Sequence, residues 1–247
     1  MAMGRFPVDL RDALRPNAYP RRTAGLLERR ELLAWFPDVI RPTAVSAYLT
    51  LLERHMTPFL EPFDHPIPKE ALTGMRRNFT EKLPKTFKNH SVILNSPRSR
   101  ATLRGRSIGL VPMLTSSSLR ELAEQVSGHR LKRGPGLQVI RYQTGDYVGP
   151  HNDHHPEEAH LREGYVDLQI TLCNRAVRSQ HLVYERDGFL NASVNVGIAS
   201  GISISRLPFW HQVTPLESKP GQETEARRWL LLASFEIEKK RRIEKRG

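Results

Sequence analysis

The sequence has almost no cysteine. Cys173 stands alone, so no internal disulfide can form, and that usage fits a reducing compartment. No run of 18 apolar residues exists, which argues against a membrane-spanning helix. The opening residues, Met1-Ala-Met-Gly-Arg-Phe-Pro, lack the apolar core of a signal peptide. The expectation is therefore a cytoplasmic protein with no membrane partner. Aromatic residues are sparse at 7%, and none interleave with the basic stretches as a platform for single-stranded nucleic acid does. No internal repeat is present. Acid is also short: 26 Asp and Glu face 38 Lys and Arg, a formal net charge of +12. That balance permits attraction to a phosphate backbone or an acidic partner but establishes neither.

What remains is a globular composition. With 247 residues, 38% of them hydrophobic, and a mean hydropathy of −0.49, the chain can bury one sizeable core. The positive charge is uneven, since residues 69–108 hold ten Lys or Arg against two Glu. Residues 1–22 read as a surface arm. Leu26, Leu27, Leu32, Leu33 and Phe36 predict a helix over 24–36 that Pro37 stops. Val45, Tyr48, Leu49 and Leu52 predict a second over 43–59, capped by Thr43. The three prolines of Glu61-Pro-Phe-Asp-His-Pro-Ile-Pro68 then read as a breaker. Phe79, Leu83 and Phe87 suggest one helical face, and Ser91-Val-Ile-Leu-Asn95 a short strand. A further helix is predicted from Ser118 to Val126, with Ser118 and Glu121 as a capping box and Gly128 at its C-terminus.

Beyond residue 136 the pattern changes. Short strands are predicted at 137–143, 147–153, 166–173, 181–185, 192–196, 202–206, 210–214 and 228–235, with Gly164, Gly188, Gly197 and Gly201 between or near them. These predict a mainly β fold, a double-stranded β-helix (jelly roll) with supporting N-terminal helices. The expected organisation is an N-terminal helical and basic elaboration over 1–109, a jelly-roll core over 110–236 and a basic tail over 237–247.

The chemistry gathers at one turn. Leu137 to Asp153 reads as a strand, a Gly145-Asp146 turn, and a second strand carrying His151 and Asp153. Alternation sets both on one face and turns Asn152 away. Such polar groups facing inward on a barrel strand cost on the order of several kcal/mol unless paired, and a metal removes that cost. The pair supplies two members of a 2-His-1-carboxylate triad, which leaves open positions on non-heme Fe(II). The third has to come from a distant strand. His211, in Phe209-Trp-His-Gln-Val-Thr-Pro215, is the first choice; His181 competes and His160 is weaker. His65, in the proline breaker, reads as structural or exposed. His154 and His155 extend the run and would suit a two-metal hydrolase. Pro156 ends the strand there, so both read as rim residues.

The order is Tyr142 and Gly145-Asp146, then His151-x-Asp153, then His211-x-Val213-x-Pro215, then Arg227-Arg228 opening an apolar strand. This resembles the Fe(II)/2-oxoglutarate-dependent oxygenase superfamily, most of all its compact prolyl-hydroxylase-like branch, over roughly residues 110 to 236. The resemblance implies Fe(II) on His151, Asp153 and His211, with 2-oxoglutarate and O2 as cosubstrates. It also implies a basic residue for the C5 carboxylate of 2-oxoglutarate. Arg228 is the first choice, because a guanidinium grips a carboxylate through two parallel bonds; Arg227 faces the opposite way and is the alternative. Arg228 lies 17 positions after His211, which exceeds the family's usual spacing. Leu230 stands where the family often has a small hydroxylic residue, so Tyr142 or Thr171 is expected to serve.

The implied reaction is hydroxylation of an unactivated C–H with release of succinate and CO2. Asp153 argues for it over halogenation, because the family's halogenases lack that carboxylate. The arginine pattern of the nucleic-acid demethylase branch is missing, which discounts nucleic acid as substrate despite the charge. The expected substrate is a small polar molecule or amino acid, with a prolyl or other protein residue as the alternative. It would enter over a rim made by His154, His155 and the basic segment, where Arg98, Arg100, Arg104 or Arg106 would suit an anionic group. A cupin-like metal enzyme not using 2-oxoglutarate and a non-catalytic binding barrel are the rival readings. The oligomeric expectation is a monomer or homodimer.

Overall fold

β-Branched residues separated by glycine turns carry the second half of the chain back and forth in strands. The structure, a computed structural model, describes residues 4–16, 18, 31–67, 85–153 and 164–238. The early strands are β1 (Leu33–Pro37), β2 (Glu61–Pro66) and β3 (Thr86–Ile93). Next come β4 (Gly136–Gln143), β5 (Tyr147–His151), β6 (Tyr165–Cys173), β7 (Val177–Ser179) and β8 (His181–Arg186). The chain closes with β9 (Phe189–Asn195), β10 (Gly201–Leu207), β11 (His211–Val213), β12 (Glu217–Ser218) and β13 (Arg227–Glu236). All eight strands expected beyond residue 136 are present, with ends displaced by a few residues.

Antiparallel pairing runs β1-β10-β6-β13-β4-β3 and then β5-β11-β8-β9. The first six form a larger sheet and the last four a smaller one. β3 joins them: His90–Ile93 pair with β4, whereas Phe87 and Lys88 pair with β5. This is a jelly-roll arrangement, mainly β with few helices. Three of its strands, β1, β2 and β3, come from before residue 110.

The helices are α1 (Pro42–His55), α2 (Arg100–Ser107), α3 (Leu110–Leu114) and α4 (Ser117–Ser127). They cover the outer face of the larger sheet. Leu52, Met56, Leu114, Leu119 and Leu122 pack there against Leu168, Ile170, Trp229, Leu231 and Phe235. On β6 and β13 these outward apolar residues alternate with inward Asp167, Gln169, Thr171, Arg228, Leu230 and Ser234. That alternation aims the chemistry into the barrel.

Several expectations change. Of the helix expected over 24–36, residues 24–30 lie outside the described residues and 33–37 form β1. Ala34 and Phe36 pack into the outer core while Leu33 and Trp35 face the inner one, and a strand covered on both faces carries a near-continuous apolar run that imitates a helical stripe. Phe79 and Leu83 lie outside the described residues, and Phe87 belongs to β3. The proline breaker is β2, an edge strand paired only with β3, where missing donors are tolerated. Ser116, not Ser118, caps α4 by accepting from the Leu119 amide at 3.3 Å. Gly128 ends that helix at φ +74° as expected.

Trp229 ties the layers together. It is fully buried, and its Nε1 donates to Glu53 Oε1 of α1 at 2.9 Å. Trp229→Ala is expected to cost about 3–5 kcal/mol, read as a lowered midpoint in urea unfolding. Glu53→Gln, which keeps an acceptor for the indole, is expected to cost less than about 1 kcal/mol.

Candidate metal centre

β5 and β11 are neighbours, and their register sets His211 opposite His151. The two ring centroids lie 4.2 Å apart. The strand expected to run to residue 153 stops at His151. Asp153 follows at φ +51°, a left-handed conformation that aspartate adopts more readily than most residues. That turn, not strand alternation, brings its carboxylate back between the histidines. His151 Nε2 lies 3.3 Å from Asp153 Oδ1, and His211 Nε2 lies 3.4 Å from Oδ2. One ligand atom from each residue falls within 4.8 Å of the others, and among the described residues no other set of three His, Cys, Asp or Glu does so. Tyr165 steadies the turn by donating its hydroxyl to the Asp153 carbonyl at 3.3 Å.

The ring tautomers follow from the outer nitrogens. His151 Nδ1 contacts the Gly149 carbonyl at 2.8 Å, and His211 Nδ1 contacts the Phe209 carbonyl at 2.9 Å. A carbonyl only accepts, so each Nδ1 carries the proton and each Nε2 presents its lone pair towards the shared point. Burial, with neighbouring His151 adding to it, pushes His211 down to about 4, which keeps that lone pair free at neutral pH. This donor set fits a divalent metal. His181 stays apart at the start of β8. His65 lies on the exposed edge strand. His154, His155 and His160 lie outside the described residues.

Arg228 opens β13 facing inward and is only 3% exposed. Its guanidinium sits 5.1 Å from the Tyr142 ring centre. Nη1 donates to Gln180 Oε1 at 3.0 Å and Nη2 to Thr171 Oγ1 at 3.4 Å, while Nε is buried without a partner among the described residues. No carboxylate of the described residues pairs with this cation, an arrangement suited to an anionic ligand. Arg227 is half-buried and bonds its neighbour's carbonyl, Ala226 O, at 2.8 Å. Thr171 lies directly across from Leu230 in the ladder, so a hydroxyl is available one strand away from the position Leu230 occupies. The long stretch between His211 and Arg228 is partly structured: Glu217 and Ser218 pair with β7.

Gln180 is a residue the sequence reading misses. It is fully buried. Its Nε2 donates to the carbonyls of Asp146 and Thr214 at 3.2 and 3.0 Å, which fixes the amide so that Oε1 must face Arg228. No local pattern marks a glutamine between two short strands. Cys173, beside Arg228 in the ladder, is pushed up to about 12 by burial and is an unreactive thiol.

No protein-family model matches the chain, and no curated protein does. Solved structures do. A Pseudomonas putida prolyl-4-hydroxylase is 13% identical with a TM-score of 0.51, over 90% of this chain and 97% of that one. A 2OG-Fe(II) oxygenase family oxidoreductase from Burkholderia pseudomallei is 13% identical with a TM-score of 0.54, over 85% and 88%. The non-heme alpha-ketoglutarate-dependent carbocyclase SnoK of nogalamycin biosynthesis is 14% identical with a TM-score of 0.52, over 87% and 83%. The chain shares their fold.

Within that fold the inward face of β6 buries an acid. Asp167, on the inward face of β6, is 5% exposed, and its Oδ1 has no partner among the described residues. Burial pushes its carboxyl up to about 7; the side chains of Ser234 and Gln169 oppose the shift and the Asp153 charge adds to it. The folded state holds a proton that the unfolded chain releases between 3.8 and about 7, so stability falls as pH rises through that window. Asp167→Asn has no proton to lose. In the metal-free protein its melting temperature is expected to gain on the wild type as pH rises from about 4 to 7.5, by an amount equivalent to roughly 2–4 kcal/mol. A difference that does not change with pH would contradict this environment for Asp167.

Proposed function

We propose that the protein is an Fe(II)- and 2-oxoglutarate-dependent oxygenase that hydroxylates an unactivated C–H of a small polar molecule or amino acid. One observation carries the reading. His151, Asp153 and His211 converge with both Nε2 lone pairs aimed at one point, inside a barrel whose buried Arg228 lacks an anionic partner among the described residues. The shared fold supports it. When bound, Fe(II) and 2-oxoglutarate supply oxidative decarboxylation with O2, yielding succinate, CO2 and one oxygen atom for the substrate.

The chain's own residues have distinct tasks. His151 and His211 bind the metal through Nε2 while their Nδ1 protons stay on main-chain carbonyls, which locks ring orientation. Asp153 supplies the charged ligand, and Tyr165 holds its backbone. Arg228 receives the distal carboxylate of 2-oxoglutarate through the two-pronged geometry of its guanidinium. Gln180 and Thr171 orient that guanidinium, and Tyr142 covers one of its faces. Val148, Ile140, Val213 and Leu230 surround these groups and limit access of water.

The test is succinate release that requires both Fe(II) and 2-oxoglutarate, together with calorimetric Fe(II) titration under argon. His151→Ala, Asp153→Ala and His211→Ala are each expected to abolish tight Fe(II) binding and turnover. Iron binding that survives all three substitutions would refute the assignment, and iron binding without succinate would favour a metal enzyme that does not use 2-oxoglutarate.

The cosubstrate wall makes a separate prediction. Arg228→Lys keeps the charge but loses the fork, and is expected to raise the KM for 2-oxoglutarate at least about 30-fold, the equivalent of roughly 2 kcal/mol. Arg227→Lys is expected to change it less than about threefold. Gln180→Leu, which releases Arg228 without touching its charge, is expected to raise the KM about 10-fold while Fe(II) affinity is unchanged. Equal effects at Arg227 and Arg228 would place the clamp elsewhere.

A further inference from the structure

The ladders turn the inner face of the larger sheet into a grid of rows. One row runs Tyr142, Arg228, Cys173. The next runs Ile140, Leu230, Thr171, Gly201, and the third Gln138, Leu232, Gln169, Ser203, Trp35. The fourth runs Gly136, Ser234, Asp167, Ser205, Leu33. In these rows Arg228 and Asp167 are the two charged residues. They stand at opposite ends: six residues of β13 separate their rows, roughly 20 Å of strand.

We propose that Asp167, with Ser205 and Ser234 beside it, recognises a cationic amino group of the primary substrate, so that the substrate is a small amine. This rests on the oxygenase reading, because the charge balance depends on it. The two positive charges of Fe(II) and the one on Arg228 offset Asp153 and the two carboxylates of 2-oxoglutarate. Ionised, Asp167 is then an acid that this balance leaves unanswered, whereas the other buried acid, Asp146, has His90 at 3.7 Å. The row neighbours of Asp167 are neutral hydroxyls, and the row behind it offers the neutral Gln169, Gln138 and Ser203, so no cation among these partners answers it. A carboxylate with one unpartnered oxygen, set among hydroxyls and amides in a site of low dielectric, selects an ammonium over a neutral or anionic group.

Position supports the assignment. Tyr165, two residues from Asp167 on the same face of β6, donates to the Asp153 carbonyl, so this end of the grid adjoins the metal ligands. Asp167 also feels the Asp153 charge. A cavity of about 640 Å³ adjoins this end, lined by Gln138, Leu232, Ser234, Tyr165 and Glu236 and by Arg106 of α2; Asp167 borders it through its row neighbour Ser234 and does not line it. That volume suits a small organic molecule. Of the four arginines expected to suit an anionic group, Arg106 lines this cavity and bonds the Pro97 carbonyl at 3.2 Å.

The test reads Asp167 directly. Protein labelled with 13C at aspartate carboxyls is loaded with Zn(II), which is redox-inert, and 2-oxoglutarate. The Asp167 resonance is assigned by its loss in Asp167→Asn or, should that variant not fold, by its displacement in Ser234→Ala. Methylammonium, acetate and methanol are titrated as probes. Methylammonium is expected to move the resonance saturably and to lower its titration midpoint by about one pH unit, whereas acetate and methanol leave it in place. An unmoved resonance, or an equal response to methanol, would overturn the proposal and leave Asp167 as a protonated structural acid bonded to Ser234 and Gln169. Failure of Zn(II) and 2-oxoglutarate to bind, seen by calorimetry, would instead count against the oxygenase reading. The same titration on the metal-free protein would then still decide whether Asp167 takes a cation.

Discussion

The site depends on two hydrogen bonds that never touch the metal position. Each of the two histidines gives its Nδ1 proton to the main-chain carbonyl two residues before it. These bonds fix ring orientation and tautomer together, and they leave Nε2 as the only nitrogen able to coordinate. Because the carbonyls belong to the backbone of β5 and of the approach to β11, the ligand geometry inherits the rigidity of the sheet. A side-chain partner would carry rotamer freedom of its own. The β5–β11 register then sets one ring against the other. Asp153 needs no strand of its own, since one left-handed residue returns its carboxylate to both rings.

A similar economy applies to the buried cation. Arg228 lies on a strand hydrogen-bonded on both sides, to β4 and β6. Its guanidinium is held by an aromatic face, a hydroxyl and an amide, none of them charged. Neutral partners orient the group without cancelling its charge. Gln180 matters because both its amide protons are committed to carbonyls from two other segments, so the oxygen facing Arg228 cannot swap with the nitrogen. That amide ties the Gly145-Asp146 turn, the residue after β11 and the start of β13 into one unit.

Period and punctuation made most of the barrel legible. Strands from β4 onward alternate inward polar and outward apolar residues between glycine turns, and this signal survives without alignment. His151, Asp153, His211 and Arg228 were legible because each is costly to bury and stands in an ordered set. The misses have specific physical causes. β1 is apolar on both faces and so carries no period-two signal. The prolines of β2 read as a breaker because edge pairing cannot be seen before the sheet is assembled. The reversal at Asp153 depends on a left-handed φ angle that aspartate adopts at some positions and not at others, and nothing nearby announces it. Gln180 and Asp167 escape notice because their roles come from residues far away in sequence.

Asp167 shows why polar residues on an inner face need separate weighing. Glycine, serine and glutamine inside a barrel are tolerated because neighbouring strands satisfy them. A carboxylate there adds a net charge, and no hydroxyl neutralises that. Ser205 and Ser234 flank it at the same level of the ladder, so they can share a hydrogen-bonded ligand with it but cannot replace one. The larger sheet thus presents a cation at one end of its inner face and an acid at the other, with Asp153 adjoining the acid's end through Tyr165. A ligand pair of opposite polarity, a dicarboxylate inside and an amine outside, matches that gradient with fewer unpaired charges than two anions would. On the proposed reading, the buried acid of this wall and not the surface charge of +12 selects the substrate.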